Sequence, residues 1–323
     1  MRKLVDSLSG DPAAAEGLID RARASVLWRA LLASPGPHWH RFHGLLLAKG
    51  LLQKGETALR HRDPAKRVEA IQVLRSLGVP KSTSLCLVAL HDADPAVRLA
   101  AIGVLTENRV PKSVDALVEA IASFSAGERE AAKAGLLSAG SELTAALELS
   151  LAGAAEEARM WVADFLGAWR HEGAAGLLLR LAADGNPGVR AHAATSLSGF
   201  PAAAVAPTLV SLLSDEAWFV RVEAAKSLAL VEAAGAVKPL AGILDDPEWW
   251  VRKEAAQALY ALGADGRHAL VAAVARGGAL AREAALGALS EAALETVIEA
   301  AWQAGAMAAS PAALGLRRPE EVA

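Results

Sequence analysis

The sequence has one cysteine, Cys86, among 323 residues. An intramolecular disulfide is therefore excluded, and such sparing use fits a reducing compartment. Cys86 lies in Ser84-Leu85-Cys86-Leu87-Val88, where a small buried thiol is the plain reading. Aromatic residues are scarce, at 4% against 53% hydrophobic overall, so the core must be built from Ala, Leu and Val. Neither sign of charge dominates. A net charge of −3 offers no global field to nucleic acid or acidic lipid. Long apolar runs are missing too: Lys49 interrupts 44–52 and Arg180 interrupts 173–183, well short of the roughly 18 residues that a membrane span needs. The opening Met1-Arg2-Lys3-Leu4-Val5-Asp6 has charge without a following apolar stretch, so it does not read as a secretory signal. We expect a soluble, cytoplasmic chain. Nine Lys/Arg against five Asp/Glu in residues 1–60 make the N-terminal end mildly basic; if an anchor preceded it, that end would lie at the inner face of the membrane.

Catalytic signatures are also missing. There is no Gly-x-Ser-x-Gly, no His-Glu-x-x-His, no Walker-type phosphate loop and no Gly-x-Gly-x-x-Gly. No catalytic residue, cofactor or metal is expected. The densest histidine cluster is His38-Trp39-His40-Arg41-Phe42-His43. His40 and His43 share a face of a helix read over 38–52, but without a neighbouring Cys, Asp or Glu the cluster reads as an aromatic-rich turn.

What the chain does have is repetition. Arg67, Arg98, Arg129, Arg159, Arg190, Arg221, Arg252 and Arg282 are separated by 31, 31, 30, 31, 31, 31 and 30 residues. Seven residues after each stands a leucine, from Leu74 to Leu289, and three after each an alanine, Val162 excepted. Such a period means a stacked array rather than one globule. Within Val237 to Gly263, a short apolar helix ends at Asp245-Asp246-Pro247, with Asp246 placed as N-cap and Pro247 as first helical residue. Val251, Ala255, Ala258, Leu259 and Leu262 then form one stripe, and Gly263 falls at C′. Each repeat is thus a short helix A and a longer helix B that carries the arginine.

Asp92, Asp184, Asp215 and Asp246 stand six residues before an arginine; His61, Ser123, Gly153 and Arg276 take that place in repeats one, three, four and eight. The run from Asp246-Pro247 through Val251-Arg252 to Ala255-Ala256 and Leu259 resembles HEAT repeats of the short bacterial type named after bilin lyases. That resemblance spans about residues 54–300. It implies an all-α, right-handed α-α superhelix of about eight two-helix repeats, with B helices lining the concave face. It also implies a structural ladder of the eight arginines with the four aspartates. The expected layout is a divergent helical cap over 1–53, the solenoid over 54–302, and a frayed tail over 303–323. In the cap, Asp11-Pro12 should start a helix reaching about Leu32.

Alignment on the arginine exposes two positions off the core stripe. Position +2 carries Trp161, His192, Glu223 and Glu254 in repeats four to seven; position +5 carries Asp164, Thr195, Lys226 and Gln257. Repeats two, three and eight are nearly blank there. A second feature is aromatic. Trp218 and Trp249 are equivalent, as are Phe219 and Trp250. They either form a partner-binding ridge or cover seams between repeats. Together these twelve residues are the candidate surface of a non-enzymatic scaffold or adaptor that binds another protein.

Three further resemblances bear on function. The double Trp before Val-Arg is similar to bacterial HEAT proteins that are membrane-anchored accessories of polysaccharide glycosyltransferases. Bilin lyases share the repeat type, which implies a tetrapyrrole or its carrier as the alternative ligand. HEAT-like DNA alkylation-repair glycosylases use a tryptophan and a carboxylate, which Trp161 and Asp164 imitate, but a net negative repeat region disfavours DNA. Deoxyhypusine hydroxylases need several His-Glu iron ligands, and this chain has His171-Glu172 alone.

Overall fold

The computed structural model describes residues 12–34, 37–78, 80–108 and 111–289, and its regular structure there is entirely helical. The chain divides into two compact units, one ending at Ala158 and the other beginning at Arg159. The first unit opens with α1 (Pro12–Arg21), α2 (Ala24–Ala33), a 3-10 turn (Pro37–Phe42) and α3 (His43–Ala48). Its A/B pairs follow: α4 (Leu51–Ala58) with α5 (Pro64–Leu77), α6 (Pro80–Ala89) with α7 (Pro95–Asn108), and α8 (Pro111–Ala120) with α9 (Ala126–Leu136). Then come α10 (Glu142–Leu151) and α11 (Glu156–Trp169), the helix within which the units divide.

The second unit continues with α12 (Ala174–Leu181) and α13 (Pro187–Leu197), α14 (Ala202–Leu212) and α15 (Trp218–Leu230), α16 (Val237–Gly242) and α17 (Trp249–Ala261), and α18 (Ala264–Arg276) and α19 (Ala279–Ala288). Within each unit, like packs on like. B helices α5, α7 and α9 stack in the first unit, as do α13, α15, α17 and α19 in the second. A helices do the same, α8 on α10 and α16 on α18.

The reason lies in two side chains per repeat. The alanine (or Val162) three after each arginine and the leucine seven after it are buried in all eight repeats. A methyl group at the closest approach brings neighbouring B helices together, and the leucine one turn on fills the space between them. Helix ends follow local chemistry. Asp63 accepts the Ala65 N–H at the start of α5, with Pro64 as first residue. Asn186 accepts from Gly188 and Val189 ahead of α13. Gly263 follows α17 with φ +83°, a backbone state open to glycine.

Several sequence expectations need correction. The helix read from Pro12 to about Leu32 is two helices, because Arg23 is extended (φ −76°, ψ 148°); packing of α1 on α3 and of α2 on α5 overrides local continuity. The helix read over 38–52 is a 3-10 turn, α3 and the start of α4, broken at Gly50 with φ +71°. Asp246 is not the N-cap of α17. Glu248 holds that place, and Asp246 accepts the Glu248 backbone N–H from two residues upstream. Asp11, Trp302 and the 303–323 tail lie outside the described residues.

The histidine cluster is structural. Trp39 is fully buried and donates to the Ser34 carbonyl. His40 Nε2 pairs with the Arg75 carbonyl, and its ring covers Gly78 so closely that a Cβ there would clash. His43 Nδ1 pairs with the His40 carbonyl. Among the described residues no group of three or more His, Cys, Asp or Glu is placed to hold a metal, and no helix is long and apolar enough to cross a membrane. Cys86 is buried, and burial pushes its thiol up to about 12.

Candidate functional site

The arginine of each B helix is held before it can do anything else. Arg67, Arg159, Arg190 and Arg221 each donate through Nε and Nη2 to a carboxylate 25 residues later: Asp92, Asp184, Asp215 and Asp246 respectively, at 2.7–3.0 Å. Arg67, Arg190 and Arg221 also donate through Nη1 to two carbonyls in the turn of their own repeat. Each of the four aspartates accepts a backbone N–H two residues on. One carboxylate thus binds its own turn to the arginine of the preceding repeat, in the strong fork-on-fork form. Burial pushes Asp184 and Asp215 upward, but the hydrogen bonds from Arg159 and Arg190, with backbone N–H groups and nearby guanidiniums, hold both below the ordinary carboxylate range.

Repeats without the aspartate improvise. Glu128, one residue before Arg129, is 1% exposed and takes the Arg98 Nε–H at 2.6 Å. Its other oxygen accepts from the Ser125 N–H and hydroxyl. Arg129 Nε donates to the Ile121 carbonyl, and Arg282 donates to the Val274 and Gly277 carbonyls. In the first repeat the His61 ring accepts the Asp63 N–H in place of a carboxylate.

Core alanines and leucines turn positions +2 and +5 of α11, α13, α15 and α17 to one face. There the structure joins several predicted residues. His192 Nδ1 lies 2.8 Å from Asp164 Oδ1. Thr195 donates to Glu223 at 3.1 Å, and Lys226 donates to the other Glu223 oxygen at 2.9 Å. The Asp164 hydrogen bond and charge raise His192, with Glu223 adding to the field. The Glu223 bond raises Lys226. Burial raises Glu254, and Glu223 reinforces the shift. Gln257 is exposed. Trp161 is half-buried and begins a stack through buried Phe165 and Trp169 to His171, with centroids 5.7, 5.8 and 4.4 Å apart.

The aromatic edge is set by the first turns of α15 and α17. Trp218, Trp249 and Trp250 are 41%, 47% and 54% exposed, while Phe219 is half-buried. Trp218 meets Phe219 edge-on at 5.8 Å, and Trp249 meets Trp250 at 4.6 Å. Lys253, which sequence reasoning passed over, holds its ammonium 5.1 and 5.4 Å from those two rings. The signal was available: Lys253 lies four residues after Trp249, one turn on.

With this geometry in hand, comparison with known proteins is direct. The family profile for HEAT repeats matches residues 55–136, 143–229 and 206–290. The chain belongs to the HEAT-repeat family. Among solved structures, karyopherin Kap121p bound to Pho4p is similar over 93% of this chain and 42% of its own length, at 14% identity and TM-score 0.50. An engineered protein matches 94% of this chain and 91% of its own, at 18% identity and TM-score 0.35. Human deoxyhypusine hydroxylase in complex with glycerol covers 88% and 94%, at 19% identity and TM-score 0.32. At 14% identity the likeness to the karyopherin is one of fold. A sequence comparison with curated proteins finds no match.

Proposed function

We propose that this HEAT-repeat protein is a non-enzymatic scaffold that binds another protein. Its contact surface would be the aromatic edge of Trp218, Phe219, Trp249 and Trp250 and the polar row from Trp161 to Gln257. One observation carries the reading: three indoles, in a chain poor in aromatics, stay about half exposed on the first turns of two successive, packed B helices. Tryptophan combines large apolar area with few rotatable bonds and is enriched among binding hot spots. The ladder arginines with carboxylate partners are already engaged, so the edge supplies the side chains that are left for a partner, and the row adds groups that are paired with one another yet partly exposed.

The specific form supported by the Trp-Trp-Val-Arg resemblance is an accessory subunit of a membrane-associated polysaccharide glycosyltransferase. The DNA-glycosylase alternative gains nothing from the site. Asp164 is held by His192, and Glu223 and Glu254 on the same row repel phosphate. The tetrapyrrole alternative gains no observation either.

The test is affinity capture with wild type and with Trp249→Ala/Trp250→Ala. The expected result is loss of a specific partner by about 30-fold or more in Kd, the scale of about 2 kcal/mol for a hot-spot anchor, with an unchanged melting temperature. Retained partners together with a lowered melting temperature would assign the indoles to packing instead.

A further inference from the structure

Arg252 breaks the ladder in a way that leaves a site. Its Nη1 keeps the bonds to its own turn, donating to the Asp246 and Pro247 carbonyls at 2.8 and 2.9 Å. Its Nε and Nη2, the fork that grips aspartate in Arg159, Arg190 and Arg221, have no acceptor among the described residues. The sequence reason is Arg276, which stands where the next aspartate would be. Arg252 is nevertheless 7% exposed. The fork is not sealed off, however: neither nitrogen is among the buried side-chain atoms left without a partner, so both keep access to solvent, and a charge-assisted bond to a carboxylate would be stronger than one to water.

The same arginine lines a cavity of about 270 Å³ between α17 and α19. On the α17 side stand Trp249, Lys253 and Gln257; on the α19 side stand Glu283, Ala284 and Gly287. The space exists because positions +2 and +5 of α19 are Ala284 and Gly287. In α13 and α15 the same positions carry His192 and Thr195, and Glu223 and Lys226, whose side chains bond across or along the row. Nothing lies within 4 Å of the point where a Gly287 Cβ would stand. Two independent gaps, one in the ladder and one in the row, therefore coincide at one arginine.

We propose that the open fork of Arg252 is a receptor for a carboxylate, supplied by an acidic side chain of the bound protein. This rests on the scaffold reading and specifies the partner's chemistry. Nε and Nη2 of Arg252 donate the two parallel bonds, as the equivalent groups do to Asp184, Asp215 and Asp246. Lys253 adds a second positive charge, and the Trp249 ring is a wall for the aliphatic stem of a glutamate. Gln257 and Glu283 accept from backbone N–H groups beside the acidic residue. Glu283 also decides between anions, since its charge opposes a phosphate dianion more than a single carboxylate. Trp249 belongs both to this cavity and to the exposed edge, so the edge is continuous with the cavity that Arg252 lines.

The probe is N-acetyl-glutamyl-leucine amide, with the glutaminyl peptide as neutral isostere and inorganic phosphate as a third arm. Binding is read from the Arg252 Nε–H and Trp249 indole N–H resonances of the full chain. The glutamyl peptide should shift both and bind at least tenfold more tightly than the glutaminyl peptide. Arg276→Asp, which restores the missing rung, and Gly287→Leu, which fills open space, should each abolish that preference while keeping the fold. Equal binding of the two peptides, preference retained in both variants, or tighter binding of phosphate would overturn the proposal. Failure of the scaffold reading looks different: wild type then captures no protein. A partner captured equally by wild type and Arg276→Asp sinks the receptor and leaves the scaffold standing.

Discussion

The two compact units solve the same stacking problem with different care. In the second unit, Arg159, Arg190 and Arg221 meet three aspartates in near-identical geometry. In the first, the regular rung from Arg67 to Asp92 is followed by one that uses Glu128 from another position. The contrast reverses on the exposed row: Ala100, Gly103, Ala131 and Ala134 leave repeats two and three of the first unit bare, whereas His192, Thr195, Glu223 and Lys226 decorate repeats five and six of the second. Repeat stacking tolerates improvised chemistry: Glu128 stands in for the aspartate at Arg98, and Arg129 and Arg282 bond to backbone carbonyls instead. Surface decoration has no such stacking requirement. Glu69 and Gln72 of the first repeat aside, its concentration in repeats four to seven therefore points to use rather than to stability.

The largest effect should come from separating structural from decorative aromatics within the second unit. Phe165 is fully buried at the middle of the Trp161–Trp169 stack. Phe165→Ala should cost about 3–5 kcal/mol in urea unfolding, the range for a buried phenyl replaced by a cavity. A loss under 1 kcal/mol would mean that this stack is surface after all.

Next comes the improvised rung. Glu128→Val places at that site the residue found in repeats two, five, six and seven, yet it leaves Arg98 without its carboxylate and the Ser125 N–H without its acceptor. We expect a loss of about 3 kcal/mol, the scale for breaking one side of a buried charge pair. Adding Ser123→Asp should return most of it, since an aspartate six residues before Arg129 recreates the regular rung. If the double variant is no more stable than the single one, the equivalence of the two rungs is wrong.

This rung also shows where sequence reading stopped. The period, the buried alanine and leucine of every B helix, and the ladder in repeats with Asp-x-x-x-x-x-Arg are all local patterns and were legible. Glu128 was not, because position −1 is a core valine in repeats two, five, six and seven and only packing turns a glutamate there toward Arg98. The break at Arg23 is likewise a demand of tertiary packing, with no proline or glycine to announce it. The cavity at Arg252 was half legible: Arg276, Ala284 and Gly287 were visible as departures, but their coincidence needed coordinates.

A smaller effect distinguishes ladder from row through pH. The folded pKa values of Asp184, Asp215 and Glu128 are depressed. Their contribution is therefore present above the unfolded values, about 4, and is lost as pH falls through the lower folded ones. His192 is raised above 6.5, so its contribution is full below 6.5 and fades as pH rises through the folded value. Both partners are about half exposed, which limits the pair to about 0.2–1 kcal/mol. His192→Gln should thus reduce stability at pH 5.5 by that amount and leave it nearly unchanged at pH 8.5. A deficit that grows with pH would have the wrong sign.

The smallest effect on stability is expected at the residue with the largest expected role in binding. Trp250 is more exposed than Trp218 or Trp249, and its ring packs against its neighbour Trp249 and the Lys253 ammonium. Trp250→Ala removes little that folding had taken out of water, so unfolding free energy should stay within about 0.5 kcal/mol of wild type. Phe165 and Trp250 are both large aromatics of the second unit, and the two substitutions should lie at opposite ends of the stability scale. A loss of several kcal/mol at Trp250 would show that the edge holds repeats together, and the difference between the units would then be one of packing alone.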